Sequence, residues 1–457
     1  MPSKVQLLFW FTTLFFLGVS GWLFYPGSMG NDSLNQWYQL NGILPVSDWH
    51  PPMVLHIWKL LNGVLEGPAS LLVLQLLMYW IGIGLVVQSF FAKRAKHIKF
   101  VALTTIGFFP VTWLMMASIW KDALMLSSLL FSLGLFLSAR ESVKANGKAI
   151  WILPIIWLCF VLTCGTRHNA IMALIPLVFM MTFDLMSASR SWYLKILLSC
   201  ALLFSLAFAS KRVNQIGVEV HYPYLVNQLI FWNLAGLSID NDEILIPESA
   251  FVNPDSAKVD VLKRYYSDAT NNHLVFNSGI IEPAVWKDSD YGKWFFEQGV
   301  RTIILHPKDY IEMRVRSLGH LAGIGKFMPH MAYIFETKYW PGDESLGLES
   351  YSMLNETILF EIKDKLLSRL SHVGFYNIVP YLFLLLSLLL FLAFSYKQED
   401  RCILIGIGLS GLLYWLPYVL IAPSNDFRYN NWTVEAVVLI ISTLVINKIR
   451  IRSKSSQ

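Results

Sequence analysis

The sequence predicts an all-α, polytopic membrane protein, a bundle of about ten transmembrane helices with interfacial helices and one large extracytoplasmic insert. Three observations lead there. Of the 457 residues, 55% are hydrophobic and only 15% charged, where a soluble domain carries roughly 25% charged residues. The apolar residues fall in blocks long enough to cross a bilayer, not in the short periodic runs of a water-soluble core. The basic residues alternate between successive connections, so the formal net charge of +5 is a topology signal and not a nucleic-acid patch.

The apolar blocks cover roughly 7–24, 69–91, 100–118, 123–139, 149–163, 169–187, 193–210, 374–395, 402–421 and 432–447. A crossing helix needs about 20 residues, so 149–163 and 432–447 are short. The first block follows Lys4 without a small-residue cleavage site and reads as a retained span. One set of connections holds Lys4, Lys93–Lys99, Arg140–Lys148, Arg190–Lys195, Lys397–Arg401 and Lys448–Lys454, which predicts both termini in the cytoplasm. The other set faces outward and holds the unusual polar residues: 29–52, Trp120–Lys121–Asp122, Thr166–Arg167–His168–Asn169, the insert, and 423–429.

Segment 53–66 is too short and too interrupted by His56, Lys59 and Asn62 to cross, so it is expected to lie in the outer interface, with 33–42 a second such helix. At about residue 211 the composition becomes mixed. Helices are expected at Tyr222–Leu237, Lys308–Leu321 and Met353–Leu370, without a strand alternation regular enough to name a soluble fold. The predicted organisation is an N-terminal transmembrane module, 1–210, with its first outer loop at 25–68; an extracytoplasmic insert, 211–373; and a C-terminal transmembrane module, 374–457. The four cysteines (Cys159, Cys164, Cys200 and Cys402) lie in or beside apolar blocks and form no C-x-x-C pair, which predicts packing residues without structural disulfides.

Chemistry-bearing residues gather on the outward set. Asp32 follows the first span within Gly30–Asn31–Asp32–Ser33. A carboxylate shielded at the membrane surface can have a raised pKa and act as a general base on a hydroxyl; the plainer alternative is that Asn31, Asp32 and Ser33 cap the next helix. Asp48–Trp49–His50–Pro51–Pro52 offers a second acid in Asp48 and a phosphate or hydroxyl donor in His50, held by two prolines that start a helix. An interfacial turn anchored by Trp49 is the alternative.

Arg428, beside Asp426 and Tyr429, presents a planar fork of donors suited to a phosphate. Lys121, Arg167 and His168 lie on the same side, and several cations around one cavity would stabilise a departing phosphate. Each alone is equally readable as a snorkelling side chain. In the insert, Tyr310 and Arg314 share a helix face and offer a further cationic contact, against ordinary packing as the alternative. No Walker A, H-E-x-x-H, strand-linked G-x-G-x-x-G or nucleophile elbow occurs, which weighs against a nucleotide-driven pump or a nucleotide-sugar enzyme.

An acidic residue just after the first span, a surface segment ending in His50–Pro51–Pro52, a series of further spans and a large outer loop resemble the GT-C superfamily of integral membrane glycosyltransferases that use polyprenyl-phosphate sugars. Protein O-mannosyltransferases, lipid A aminoarabinose transferases and O-antigen-modifying glucosyltransferases belong to it. The similarity is best over 1–210 and extends to 423–429. The resemblance implies a GT-C-like bundle and an inverting glycosyltransferase. Asp32 would stand as the catalytic first-loop acid, His50–Pro51–Pro52 as the surface segment, and Arg428 as a late-loop group on the donor phosphate. The usual Asp-Glu pair is replaced by Asn31–Asp32 or Asp32–Ser33, and the insert interrupts the spans late.

The partners implied are a polyprenyl-phosphate-linked sugar donor, a glycan, glycolipid or protein acceptor, and membrane lipids, with no nucleic acid. The location implied is a bacterial inner membrane with periplasmic chemistry. No cofactor is firmly predicted, and a divalent metal stays open because Asp32 and Asp48 lack further ligands in the sequence pattern. Two other readings remain: a lipid-linked oligosaccharide polymerase or ligase, which would lean on the arginines without needing Asp32, and a lipid-linked sugar transporter or flippase, which intramembrane charges or internal repeats would favour.

Overall fold

The computed structural model describes residues 4–92, 94–324 and 376–455. Among these residues the chain is all-α, with isolated β-bridges and no named strand. In chain order the helices are α1 (Lys4–Phe24), α2 (Asn31–Leu40), α3 (Pro52–Asn62), α4 (Ala69–Phe90), α5 (Lys96–Gly107), α6 (Pro110–Met115), α7 (Lys121–Asn146), α8 (Ile152–Thr166), α9 (Ala170–Leu185) and α10 (Trp192–Val213). The insert contributes α11 (Asn227–Asp240), α12 (Val259–Tyr265), α13 (Ala284–Lys287), α14 (Ser289–Leu305) and α15 (Pro307–Ala322). The chain continues with α16 (Ile378–Phe394), α17 (Arg401–Trp415), α18 (Tyr418–Ile421) and α19 (Asn431–Ser455).

Six segments among the described residues are long and apolar enough to cross a membrane: α1, α4, Lys121–Ala145, α10, Arg401–Ile421 and Phe427–Ile446. Helices α8, α9 and α16 are apolar but shorter. These features fit a multi-pass membrane bundle. The segment expected as one span at 100–118 is divided instead: Phe109 adopts an extended backbone ahead of Pro110, which opens α6. The residue before a proline is pushed out of the helical region, and this one breaks the rod into α5 and α6.

The expected interfacial segments are the short helices α2 and α3, and the expected helices at 222–237 and 308–321 appear as α11 and α15, the former displaced toward its C-terminus. Helix α14 was not expected, and the helix expected at Met353–Leu370 lies outside the described residues.

At the centre of the bundle, α4 and α7 meet at glycines. A Cβ on Gly134 would stand 2.7 Å from the carbonyl oxygen of Gly82, and one on Gly82 would stand 2.7 Å from the Leu130 backbone. Such backbone-to-backbone approach is how apolar helices gain packing where burial from lipid adds little. Helix α10 is peripheral by comparison, packing on α8 and α9 with most of its surface outward. Its C-cap residue Asn214 joins three elements: its side chain accepts from the Met53 N–H at 2.7 Å and donates to the Gly165 carbonyl at 3.0 Å.

The insert has its own apolar core, built on Phe231, Leu234, Leu262, Val285 and Phe295. It is fastened to the bundle in two places. Ser47 bridges Val220, and Asp48 holds the next two residues. Farther on, Thr270 bridges Ser424, flanked by Asn271 N–H to Pro423 at 2.9 Å and Asn425 N–H to Ala269 at 2.8 Å. The insert is thereby latched beside both the first outer loop and the last one.

Candidate functional site

Helix α2 begins at Asn31 with Gly30 as its N-cap, and no side chain caps it. A Cβ on Gly30 would lie 3.0 Å from Trp120 Nε1, so the small residue lets the helix start press against the 118–122 segment. Ser33 donates to the Ile119 carbonyl rather than to its own helix end. Asp32, in the first turn, is therefore left without a capping role. Its carboxylate sits where the helix dipole favours negative charge and turns toward groups from three distant segments.

Its Oδ2 lies 3.3 Å from Lys121 Nζ and 3.1 Å from Arg428 Nη1, and Oδ1 lies 3.8 Å from His50 Nε2. Lys121, at the first position of α7, also approaches His50 Nδ1 at 3.1 Å. With the ammonium as donor, Nδ1 accepts, which leaves the ring proton of a neutral His50 on the Nε2 that faces Asp32.

Burial pushes the His50 imidazolium down, Lys121 pushes it further against the opposing pull of Asp32, and the outcome is a pKa of about 3. For Asp32, burial acts to raise the pKa, as shielding at the membrane surface suggested. The charges of Lys121 and Arg428 act the other way and prevail, holding the carboxyl well below the usual range. The expected raised pKa is thus reversed by the cations that the sequence had left unpaired.

Arg428 faces three acids through Nη1 and Nε. Besides Asp32, its Nε lies 2.8 Å from Asp426 and 3.9 Å from Asp122, and its plane stands 4.9 Å over the Trp120 ring and 5.5 Å from Tyr429. Arg167 donates from Nε to Asp122 at 2.7 Å, with a second contact from Nη2, and stacks 5.0 Å over Tyr429. Tyr429 itself stacks on Tyr418 at 4.8 Å.

Asp122 is fully buried and reaches both arginines. In the sequence it belongs to the outward Trp120–Lys121–Asp122 segment without a role of its own, and the signal is an acid next to Lys121 at the start of an apolar span, a position tolerable for a carboxylate only with cationic partners. Lys121, Arg167 and Arg428 thus face Asp32, Asp122 and Asp426 in one cluster, with His50 and Tyr429 at its edge.

Three other expected residues stand apart. Asp48 accepts the Tyr222 N–H at 2.7 Å and meets His221 Nδ1 at 3.1 Å, so it fastens the insert and does not join Asp32. Arg314 is buried against the Trp232 ring at 5.5 Å and donates to the Val419 carbonyl at 3.2 Å, a packing contact between insert and bundle. His168, next in sequence to Arg167, is exposed. Among the described residues no group of three or more His, Cys, Asp or Glu side chains comes together as a metal site.

No family model and no curated protein matches the chain. Among solved structures, it is similar to the Archaeoglobus fulgidus oligosaccharyltransferase with a tethered acceptor peptide containing the NVT sequon, at 13% sequence identity and a TM-score of 0.38. The match covers 97% of this chain and 50% of that one, so the chain spans about half the length of the oligosaccharyltransferase it resembles.

Proposed function

We propose that the protein is an inverting membrane glycosyltransferase that moves a sugar from a polyprenyl-phosphate donor to a hydroxyl acceptor on the extracytoplasmic side of a ten-span bundle. The observation that carries this reading is the meeting of Asp32 with Lys121 and Arg428 at 3.3 and 3.1 Å. A carboxylate able to take a proton and cations able to receive a phosphate are then within one contact of each other. The residues assigned to the reaction are Asp32 as base, Lys121, Arg428 and Arg167 as phosphate-binding groups, and His50 and Tyr429 as groups that orient them.

In the reaction, the acceptor oxygen forms a bond to the anomeric carbon while its proton passes to Asp32. The bond from that carbon to the phosphate oxygen breaks, and its electron pair leaves with the lipid phosphate, which gains a negative charge. Lys121 and Arg428 neutralise that charge. Both cations contact Asp32, which keeps the carboxylate weakly basic. A donor phosphate that draws them away restores its basicity, because a carboxylate relieved of nearby positive charge binds a proton more readily. Activation energy arrives with the donor, so the chemistry needs no nucleotide-binding motif.

The test is incubation of the purified protein with a panel of polyprenyl-phosphate sugars and an envelope extract, reading lipid-phosphate release and sugar transfer. Release by the native protein and its loss in Asp32→Asn support the reading. Full activity of Asp32→Asn points instead to a ligase or polymerase that uses the arginines alone, and no release with any donor rejects the enzymatic assignment.

A further inference from the structure

Far from the charged cluster, a cavity of about 290 Å³ opens between α7, α8, α9 and α10. Phe136, Phe160, Val178, Met181, Leu202 and Leu206 are among its walls, and the lining is almost wholly apolar. Phe136 is 15 residues along α7 from Lys121, which at 1.5 Å per residue sets the cavity about 22 Å below the cations of the site. It therefore lies toward the opposite leaflet.

One wall is α10, the peripheral helix, and the wall residue Leu198 on it is 40% exposed, so the cavity lies next to the outward face of an apolar helix. Lys195, Leu198, Leu202 and Leu206 are spaced three, four and four apart and share one face of α10. Lys195 thus stands one turn beyond the cavity on the face that lines it, with its ammonium 5.5 Å from the Phe183 ring. Arg190, exposed in the α9–α10 connection, lies at the same end. The neighbouring cation Lys144 is already paired with Asp184 at 2.8 Å.

An apolar slot at membrane depth with cations at its polar end matches the two halves of one molecule. We propose that this cavity is a binding site for an anionic glycerophospholipid of the leaflet opposite the charged cluster, one acyl chain lying between α8, α9 and α10 and the headgroup phosphate held by Lys195 and Arg190. The chain fills space that would otherwise leave the cavity walls without contact atoms, and the headgroup phosphate answers the juxtamembrane cations. The site is separate from the donor site proposed above and does not depend on that function.

The test uses the full-length protein in nanodiscs and after delipidation. Phosphatidylglycerol carrying a photoreactive acyl chain is expected to crosslink to peptides spanning 178–186 and 198–206, and unlabelled phosphatidylglycerol to suppress that crosslinking at lower concentration than phosphatidylcholine. In native mass spectrometry, phosphatidylglycerol is expected to survive detergent exchange on the native protein and to fall about tenfold on Lys195→Gln. Met181→Trp, which fills the slot, should abolish the thermal stabilisation by phosphatidylglycerol; if that variant does not fold, the crosslinking and Lys195→Gln results stand alone. Equal competition by phosphatidylcholine, crosslinks confined to other helices, or displacement of the probe only by polyprenyl phosphate would each overturn the proposal, whatever the protein's glycosyltransferase activity.

Discussion

Arg428 and Asp32 are 396 residues apart in sequence and 3.1 Å apart in space, joining the connection that precedes the last helix to the first turn after the first. The pair closes the two ends of the chain on a single contact. Its disruption separates chemistry from folding. Asp32→Asn keeps the shape and hydrogen-bonding capacity of the side chain but removes the charge, so transfer is expected to fall about 10²–10⁴-fold, the range of a lost general base. A single cooperative unfolding transition of the Asp32→Asn protein well above the assay temperature would show the loss to be chemical.

Arg428→Lys tests the fork. Arginine reaches Asp32, Asp426 and Asp122 at once, which a point-charged ammonium on a flexible stem cannot reproduce. Transfer should drop roughly 10²-fold, with a larger drop for Arg428→Ala, as for removal of one group that stabilises a developing anion. Activity of Arg428→Lys equal to the native protein would remove the guanidinium from the reaction.

Asp122 is expected to matter for stability first. Asp122→Ala leaves Arg167 and Arg428 buried without the carboxylate they share, a change of the kind that costs about 3–5 kcal/mol. Asp122→Asn, which keeps one acceptor oxygen and turns the other into a donor, should unfold at a temperature between those of the native and Asp122→Ala proteins. Equal melting of native and Asp122→Ala protein would contradict the assignment.

His50 sets a pH dependence with a definite sign. Its folded pKa of about 3 lies below the ordinary histidine value, so the unfolded chain takes up the proton first as pH falls. The stability that neutral His50 contributes is present above about pH 6.5 and is lost progressively between there and about 3. Asp32, also lowered, contributes stability above its unfolded value near 3.8 that disappears at still lower pH. Thermal scans of His50→Gln should therefore show a weaker decline between pH 6.5 and 4 than the native protein, and parallel curves would count against a buried neutral imidazole.

Asp48→Ala separates fastening from catalysis. The carboxylate holds the Tyr222 backbone and His221, so its removal should speed proteolysis near 218–225 by freeing the latch, at a cost of about 1–3 kcal/mol. Transfer is expected to persist. A collapse of turnover as deep as that of Asp32→Asn would return Asp48 to the reaction.

Much of the arrangement was legible in the sequence because each relevant signal was local. Block hydropathy marked the apolar helices, prolines 51 and 52 marked the start of α3, and the side on which basic loops fall gathered Asp32, His50, Lys121, Arg167 and Arg428 onto one face. The illegible parts are those decided by partners remote in the chain. Whether Asp32 caps its helix or faces the cluster depends on Gly30 meeting Trp120, and the direction of its pKa depends on Lys121 and Arg428. Asp48 and Asp32 look alike in sequence, both acids beside aromatic or small residues in one loop. Only the contact with 220–222 sends Asp48 to the insert. Helix α14 escaped notice because its polar, charged sequence carries no span-like run, and its apolar face matters only once α11 is beside it.

The glycine contact between α4 and α7 bears on how the cluster is held. With Gly82 against the backbone of the facing helix, no side chain separates α4 from α7 at that seam, and Lys121 and Asp122 stand at the start of a helix held in backbone contact. The clasps at 47/220 and 270/424 tie the insert to the two connections that carry His50 and Arg428. Locking both clasps with engineered cross-links is therefore expected to hold those two connections, and with them the Asp32–Arg428 contact, against thermal loosening.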